Sequence, residues 1–264
     1  MKRKRIVIFL LIFFIVTLLI IFFIWKMFPK QYYEIQPRKE EVLEKDIKSN
    51  GNFYEVVGWL QVQGTSIDLP ILHNIDKEKY PVELEGYAWI PNYSSEFSNH
   101  IQVMGHNIFN LSSQPKMKSE EFKRFEELMS FVYYDFAKEN KYIQLTFGEE
   151  EYLYKIFMVG FVPTAEIFFF PSNKEYTEEQ MKGYLKTIEE HNLYDYDIEV
   201  SEEDKIISLT TCTRFFGSNT DWEFYVVGRL VREEEKINNY SVAKTEKYEE
   251  IETILKGDEE NEEM

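Results

Sequence analysis

The sequence predicts a mainly β domain with inserted helices, held behind a single transmembrane helix. Three observations lead there. Residues Ile6 to Trp25 run for twenty positions with nothing more polar than Thr17. Downstream, about seven segments rich in β-branched and aromatic residues are separated by turn residues, against two with clear helical spacing. The strand segments do not alternate with helical ones, which disfavours a doubly wound parallel sheet.

The apolar run is read as an anchor. At 1.5 Å rise per residue, twenty residues cross a hydrocarbon core of about 30 Å. A cleaved signal would have a shorter apolar region and a small-residue cleavage site, and IIFFIWKMF offers none. Lys2, Arg3, Lys4 and Arg5 precede the span, so the positive-inside rule places the N-terminus in the cytoplasm and everything after Lys26 outside. The alternative for this run is a buried core helix. The expected division is a cytoplasmic tip and anchor at 1–28, an extracellular domain at 29–232 and an acidic tail at 233–264.

The formal net charge is −17, unevenly spread: Val231 to Met264 holds twelve acidic and five basic residues. Nucleic acid is thereby an unsuitable partner, because phosphate binding needs the opposite sign. The chain has one cysteine, Cys212. It cannot close an internal disulfide, so it is an apolar filler, an intermolecular link or a working thiol.

Along the chain, Arg38 to Asn50 reads as a short surface helix ended by Asn50-Gly51. Strands are expected at Val56–Val62, at Ile67–Leu72 after a turn at Gln63-Gly64-Thr65, and at His100–Met104. Further strands are expected at Tyr142–Phe147, Tyr152–Val162, Ile206–Thr211 and Phe224–Leu230. Pro70 favours an edge or a bulge. Ser119 to Met129 shows helical spacing through Phe122, Phe125 and Leu128. Thr177 to His191 opens with a capping box, Thr177 and Gln180, and repeats Met181, Tyr184, Leu185 and Ile188 at the helical period. Both helices are expected to pack on a β-barrel. Val242 to Leu255 reads as an amphipathic helix. No cluster of His, Cys or carboxylates has convincing metal-ligand spacing, and no cofactor is expected.

A working thiol needs help, because the thiolate is the nucleophile and a free thiol at neutral pH is mostly protonated. An imidazole is the usual helper. His191 ends a helix, where a positive charge suits the dipole, and His73 and His100 are expected at strand ends in polar company. His106 follows a strand and a glycine in VMGHN, the place where a barrel strand delivers a side chain to the rim.

These residues carry a resemblance. SLTTC, Ser208 to Cys212, resembles the Thr-Leu-x-Thr-Cys signature of sortases, with Ser208 in place of the first Thr. VMGHNIF resembles the Gly-His-Asn segment around the histidine of the same enzymes. VGWLQVQGTSIDLPIL, KYIQLTFGEEEYLYKIFMVGFV and EVSEEDKIISLTTC resemble the first strands, the middle strands and the run into the cysteine of class B sortases. The resemblance covers roughly Val56 to Leu230.

It implies a closed β-barrel of about eight strands with an N-terminal helix and inserted helices, and a cysteine transpeptidase. Cys212 would attack a backbone carbonyl in the C-terminal sorting signal of a secreted protein and form a thioacyl enzyme, and His106 would protonate the leaving amine. An amine from a cell-wall precursor or a pilin lysine would then resolve the thioester. Thr210 and Thr211 would lie near the thiol and orient the substrate backbone, although threonine is also ordinary in strands. Phe168, Phe169 and Phe170 would wall a peptide groove, or belong to the core or an exposed edge.

The family also places an arginine at the start of the strand after the cysteine. Here Glu223, preceded by Trp222, stands at or beside that position and enters the expected substrate site. A carboxylate cannot donate to an oxyanion unless protonated. Of seven arginines, two precede the span, and Arg38, Arg124 and Arg232 belong to a surface helix, a lid and the tail. Arg229 is six residues beyond Glu223, about 20 Å along an extended strand. Arg214, two residues after the thiol, is the expected guanidinium; the alternative is a solvated loop charge.

Three other readings stay open. One is a degenerate sortase-like protein that binds sorting signals or envelope partners without turnover. Another is an anchored scaffold with a filler cysteine, whose tail recruits basic partners. The third is a thiol hydrolase with water as acceptor.

Overall fold

The structure, a computed structural model, describes residues 17, 47–49, 52–73, 87–90, 98–117, 124–147, 150–167, 175–218, 221–237 and 240–256. The chain divides into two compact units, 1–34 with 236–239, and 35–235 with 240–264. Only Thr17, Lys236 and Ile237 of the first unit are described. Among the described residues no helix is long and apolar enough to cross a membrane. The expected span, Ile6 to Trp25, lies outside them except for Thr17, as do Phe168, Phe169 and Phe170.

The strands are β1 (Ile47–Ser49), β2 (Asn52–Val62), β3 (Asp68–His73), β4 (Ala88–Trp89), β5 (His100–Gly105), β6 (Tyr142–Phe147), β7 (Glu150–Pro163), β8 (Tyr194–Tyr196), β9 (Ile206–Cys212), β10 (Trp222–Leu230) and β11 (Val242–Lys244). β2, β3, β4, β5, β9, β10, β7 and β6 are hydrogen-bonded in that order, and β6 pairs back to β2. The result is a closed eight-stranded barrel, each of whose strands has a neighbour on both sides. β1 pairs with the first residues of β2, so Ile47 to Ser49 are strand where the sequence reads as helix.

The alternation of side chains divides each strand between the interior and an outer face. Leu69, Leu60 and Leu145 are register partners, as are Val103, Leu209, Val226 and Val159. All seven are fully buried and form two arcs of the interior. On the opposite parity, Met158, Val162, Ile206, Tyr225 and Val227 meet Met181, Tyr184 and Ile188 of a helix laid across the outside. This helix, α3 (Glu178–Glu190), begins at the expected capping box, with Thr177 as N-cap and Gln180 bonding back. The Gln63-Gly64-Thr65 turn also forms as expected, with Gly64 at φ 78°, a conformation that costs a glycine little.

The other expected helix is a 3₁₀-helix, Arg124–Val132, followed by α1 (Tyr134–Glu139). Its apolar spacing of three, Phe125 to Leu128, matches three residues per turn. Phe125, Leu128, Met129, Phe131 and Val132 are all buried. α2 (Thr164–Ile167) is a single turn after β7.

Residues 240–256 pack on this unit. Val242 to Lys244, expected as helix, instead form β11 and pair with β8; α4 (Glu246–Lys256) follows and buries Tyr248 and Ile251. The attachment runs through tyrosines. Tyr240 donates to the carbonyls of Lys141 and Ile156 at 2.8 Å each, and Tyr134 donates to the Val242 carbonyl at 2.9 Å. Each buries an aromatic body while its hydroxyl finds a partner.

Candidate active site

β5 and β9 are parallel neighbours, with Met104 opposite Thr210. Parallel strands need a long crossover, and here it contains the helices. Its consequence is that both strands end at the same rim. β5 ends at Gly105, the residue before His106, and β9 ends at Cys212.

The chain around both residues is strapped together. The Thr211 hydroxyl donates to the Gly105 carbonyl at 2.7 Å. The Asn107 side chain donates to the Cys212 carbonyl at 3.1 Å and to the Asn110 carbonyl at 3.0 Å, and accepts from the Asn110 N–H at 2.9 Å. The Arg214 N–H reaches the Leu111 carbonyl at 3.1 Å. Gly105 is required by packing: a β-carbon there would lie 2.2 Å from the Phe125 ring. The 3₁₀-helix holds the turn from its other side. Oε1 of Glu126, a buried carboxylate, accepts the N–H groups of Ile108 at 2.5 Å and Phe109 at 2.9 Å. The His106 ring lies against Trp89 of β4, with centroids 4.9 Å apart.

Cys212 is the last residue of β9 and is exposed. Its antiparallel partner on β10 is Glu223. Directly opposite partners project to one face with β-carbons about 4.5–5.5 Å apart. Neighbouring protein atoms, and then the Glu223 carboxylate, push the thiol pKa up. Burial also raises the Glu223 carboxyl, partly offset by the Tyr225 hydroxyl, which donates to it at 3.3 Å. Thr210, two residues before the thiol on the same face, is fully buried, and its hydroxyl has no hydrogen-bond partner among the described residues.

The register settles the positions of the arginines. Arg229, at the far end of β10, is buried and holds Glu235 through two bonds of 2.7 and 2.8 Å. Arg214 is exposed in a turn closed by the Gly217 N–H on its carbonyl. Its guanidinium makes no hydrogen bond or ion pair among the described residues.

His100 corrects an expectation. It begins β5 and has a polar partner, Nε2 lying 2.8 Å from the Ser208 hydroxyl, but it is buried between the rings of Tyr176 and Tyr184. Burial lowers its pKa to about 3, so it stays neutral. Ser208 also bonds the Tyr184 hydroxyl. This cluster seats α3 on the face that Cys212 continues. His191 caps α3 and meets the Glu166 carboxylate at 2.8 Å. No group of three or more His, Cys, Asp or Glu among the described residues could hold a metal ion.

Sequence and fold comparisons lead to the same place. Sortase B of Listeria monocytogenes is 24% identical over 189 residues, covering 67% of this chain and 70% of its own. Sortase B of Staphylococcus aureus is 21% identical over 212 residues, covering 78% and 80%. Among solved structures, a mutant form of Clostridium perfringens sortase B superposes with a TM-score of 0.55 at 23% identity, covering 68% of this chain and 82% of the other. The chain has the class B sortase fold. A Staphylococcus aureus sortase B–substrate complex matches with a TM-score of 0.54 at 18% identity, covering 67% and 80%. Sortase B from the type II pilus of Streptococcus pneumoniae matches at 0.51 and 23%, covering 66% and 91%. No family model matches the sequence. The sortase relatives support a sortase-type transpeptidase.

Asn107 and Glu126 were missed as site residues. Asn107 was within sight, as the third residue of Gly-His-Asn. Glu126 was not, since it acts on backbone N–H groups 17 and 18 residues away.

Proposed function

We propose that the protein is a cysteine transpeptidase on the outer face of the cell membrane, anchored by Ile6–Trp25, with 29–232 as its catalytic domain. Cys212 attacks a carbonyl in the C-terminal sorting signal of a secreted protein, and the resulting thioacyl enzyme is resolved by an amine of the cell wall or of a pilin. What supports this reading is the parallel β5–β9 pairing, in which the strand that runs into His106 and the strand that ends in the exposed Cys212 finish at one rim.

The steps follow from that arrangement. The thiolate forms the thioester, and the His106 imidazolium protonates the departing amine. The Thr210 hydroxyl, two residues before the thiol, has no partner among the described residues and would meet the substrate backbone once the rim opens to admit it, whereas that of Thr211 is engaged by Gly105. Arg214, on the turn that follows, supplies the guanidinium to the oxyanion. Tethering the site beside a membrane raises the effective concentration of substrates that emerge there.

The test is incubation of the full chain in detergent micelles with secreted proteins bearing a C-terminal sorting signal. Mass spectrometry should find a thioacyl adduct on Cys212, absent in C212A. Turnover retained in C212A overturns the reading. Binding without turnover is the second reading, favoured by the carboxylate opposite the thiol; it expects retention of the signal with no adduct.

A further inference from the structure

Glu223 is a half-buried carboxylate with no cation beside it among the described residues, where its one side-chain partner is the Tyr225 hydroxyl. Its neighbour on β7 is Val162, and its neighbour on β9 is the thiol. Withdrawing a carboxylate from water is unfavourable unless a positive charge or several donors compensate it. A second lone pair on the bonded oxygen and the whole of the other oxygen have no partner among the described residues, at the register position opposite the residue that would carry the acyl group.

We propose that Glu223 is the receptor for the ammonium group of the acceptor and the base that takes its first proton. The proposal rests on Cys212 being the acylated nucleophile. A primary amine reaches the site mostly protonated, since α-amino groups titrate near about 8 and lysine near about 10.4, and an ammonium has no lone pair with which to attack. At Glu223 it meets the opposite charge within one side-chain length of the thioester.

The step balances. The ammonium gives one proton to the Glu223 carboxylate, and its freed nitrogen attacks the thioester carbon. The nitrogen of the adduct gives a second proton to neutral His106. The carbon–sulfur bond breaks with its electron pair on Cys212, and an amide is left. Thiolate and imidazolium are thereby restored for the next acylation, and Glu223 releases its proton to solvent. Burial, which makes a carboxylate a stronger base, favours the first transfer.

The test avoids any need for the natural signal. The full chain in detergent micelles is acetylated at Cys212 with p-nitrophenyl acetate, and decay of the acetyl-enzyme is followed by mass spectrometry. Decay is measured in buffer alone, with glycinamide and with methoxyamine, which is uncharged at neutral pH. E223Q should slow the glycinamide reaction about tenfold or more relative to the methoxyamine and water reactions, as expected for loss of a positioned proton acceptor. Equal slowing with both amines, or none, overturns the role given to Glu223. A parent chain that takes no acetyl group on Cys212 overturns the nucleophile reading, and this proposal with it.

If E223Q does not fold, the parent alone decides. Its reaction with a cationic methanethiosulfonate should exceed that with an anionic one by about tenfold relative to free 2-mercaptoethanol, and the excess should fall with salt. No excess overturns the proposal.

Discussion

Glu223 stands directly across the antiparallel ladder from Cys212, so a thiolate at Cys212 forms beside a carboxylate. Protein atoms around the exposed thiol, and then this charge, push its pKa up. E223Q removes the second cause and keeps the first. Its rate of alkylation by neutral iodoacetamide should therefore rise at about pH 7.5, below the ordinary thiol pKa, with the whole pH–rate curve displaced to lower pH. A curve that stays in place would show that the two side chains point apart.

Cys212→Ala should abolish every acyl adduct while changing stability by less than about 0.5 kcal/mol, because the side chain is exposed at a strand end. His106→Ala should slow acyl transfer by about 10²–10⁴-fold, the usual worth of general acid help, and still allow alkylation of the thiol. Equal rates in H106A and the parent would assign the acid to another group.

What the sequence reveals divides along physical lines. Seven strand segments carry enough apolar and β-branched residues to be seen singly, and they became β2, β3, β5, β6, β7, β9 and β10. β4 has two residues, too few for any pattern, yet it joins β3 to β5 and closes the ring. β8 and β11 form on each other, and Val242 continues an apolar spacing that suits a helix equally well. Near the thiol, the strand end at Cys212 and the start of β10 at Glu223 were legible in their apolar and β-branched runs. Glu126 was not, because a carboxylate that binds backbone N–H groups leaves no trace in the sequence it holds.

Glu126→Ala tests that unseen support. Its carboxylate fixes the two residues after Asn107, and removing it leaves their N–H groups short of an acceptor at a cost of about 1–3 kcal/mol. E126A should lower acyl transfer and displace its pH profile, since His106 loses its fixed approach. E126Q keeps one oxygen, enough for both N–H groups because Oε1 alone accepts them, and should restore the rate. A stability loss in E126A with an unchanged pH profile would confine Glu126 to holding the fold.

At the far end of the barrel, Glu235 neutralises two buried cations, Arg229 and Lys155. The Arg229 fork, with Lys155, lowers its pKa to about 2. A depressed folded pKa contributes stability that is complete above the ordinary carboxylate value and is lost as pH falls toward about 2. E235Q should cost about 3 kcal/mol at neutral pH, the low end for stripping one partner from a buried pair, because a quarter of the Glu235 side chain is solvent-exposed. Denaturant unfolding should find that difference shrinking below about pH 4, the ordinary carboxylate value, as the parent loses the same charge contribution. A difference constant with pH would mean that packing, not charge, is lost.

Arg214 follows the thiol by two residues, whereas Arg229 is held by Glu235 at the opposite end of β10. Its backbone is fixed by Leu111 and Gly217, while its side chain is free to swing from the turn. R214K keeps the charge and loses the planar two-pronged donor. If the fork serves the oxyanion, R214K and R214A should both slow acylation by about 10²–10³-fold, and R229K should change stability instead. In an R214A background, E223R returns a guanidinium to the strand position facing Cys212. Acylation should recover, and transfer to a protonated amine should not, because the ammonium receptor has been replaced by a like charge. Recovery of both steps would give Glu223 no part in the second. If R214A acylates at the parent rate and E223R adds nothing, the oxyanion is met by backbone N–H groups, and the turn after Cys212 holds Arg214 only as a solvated charge.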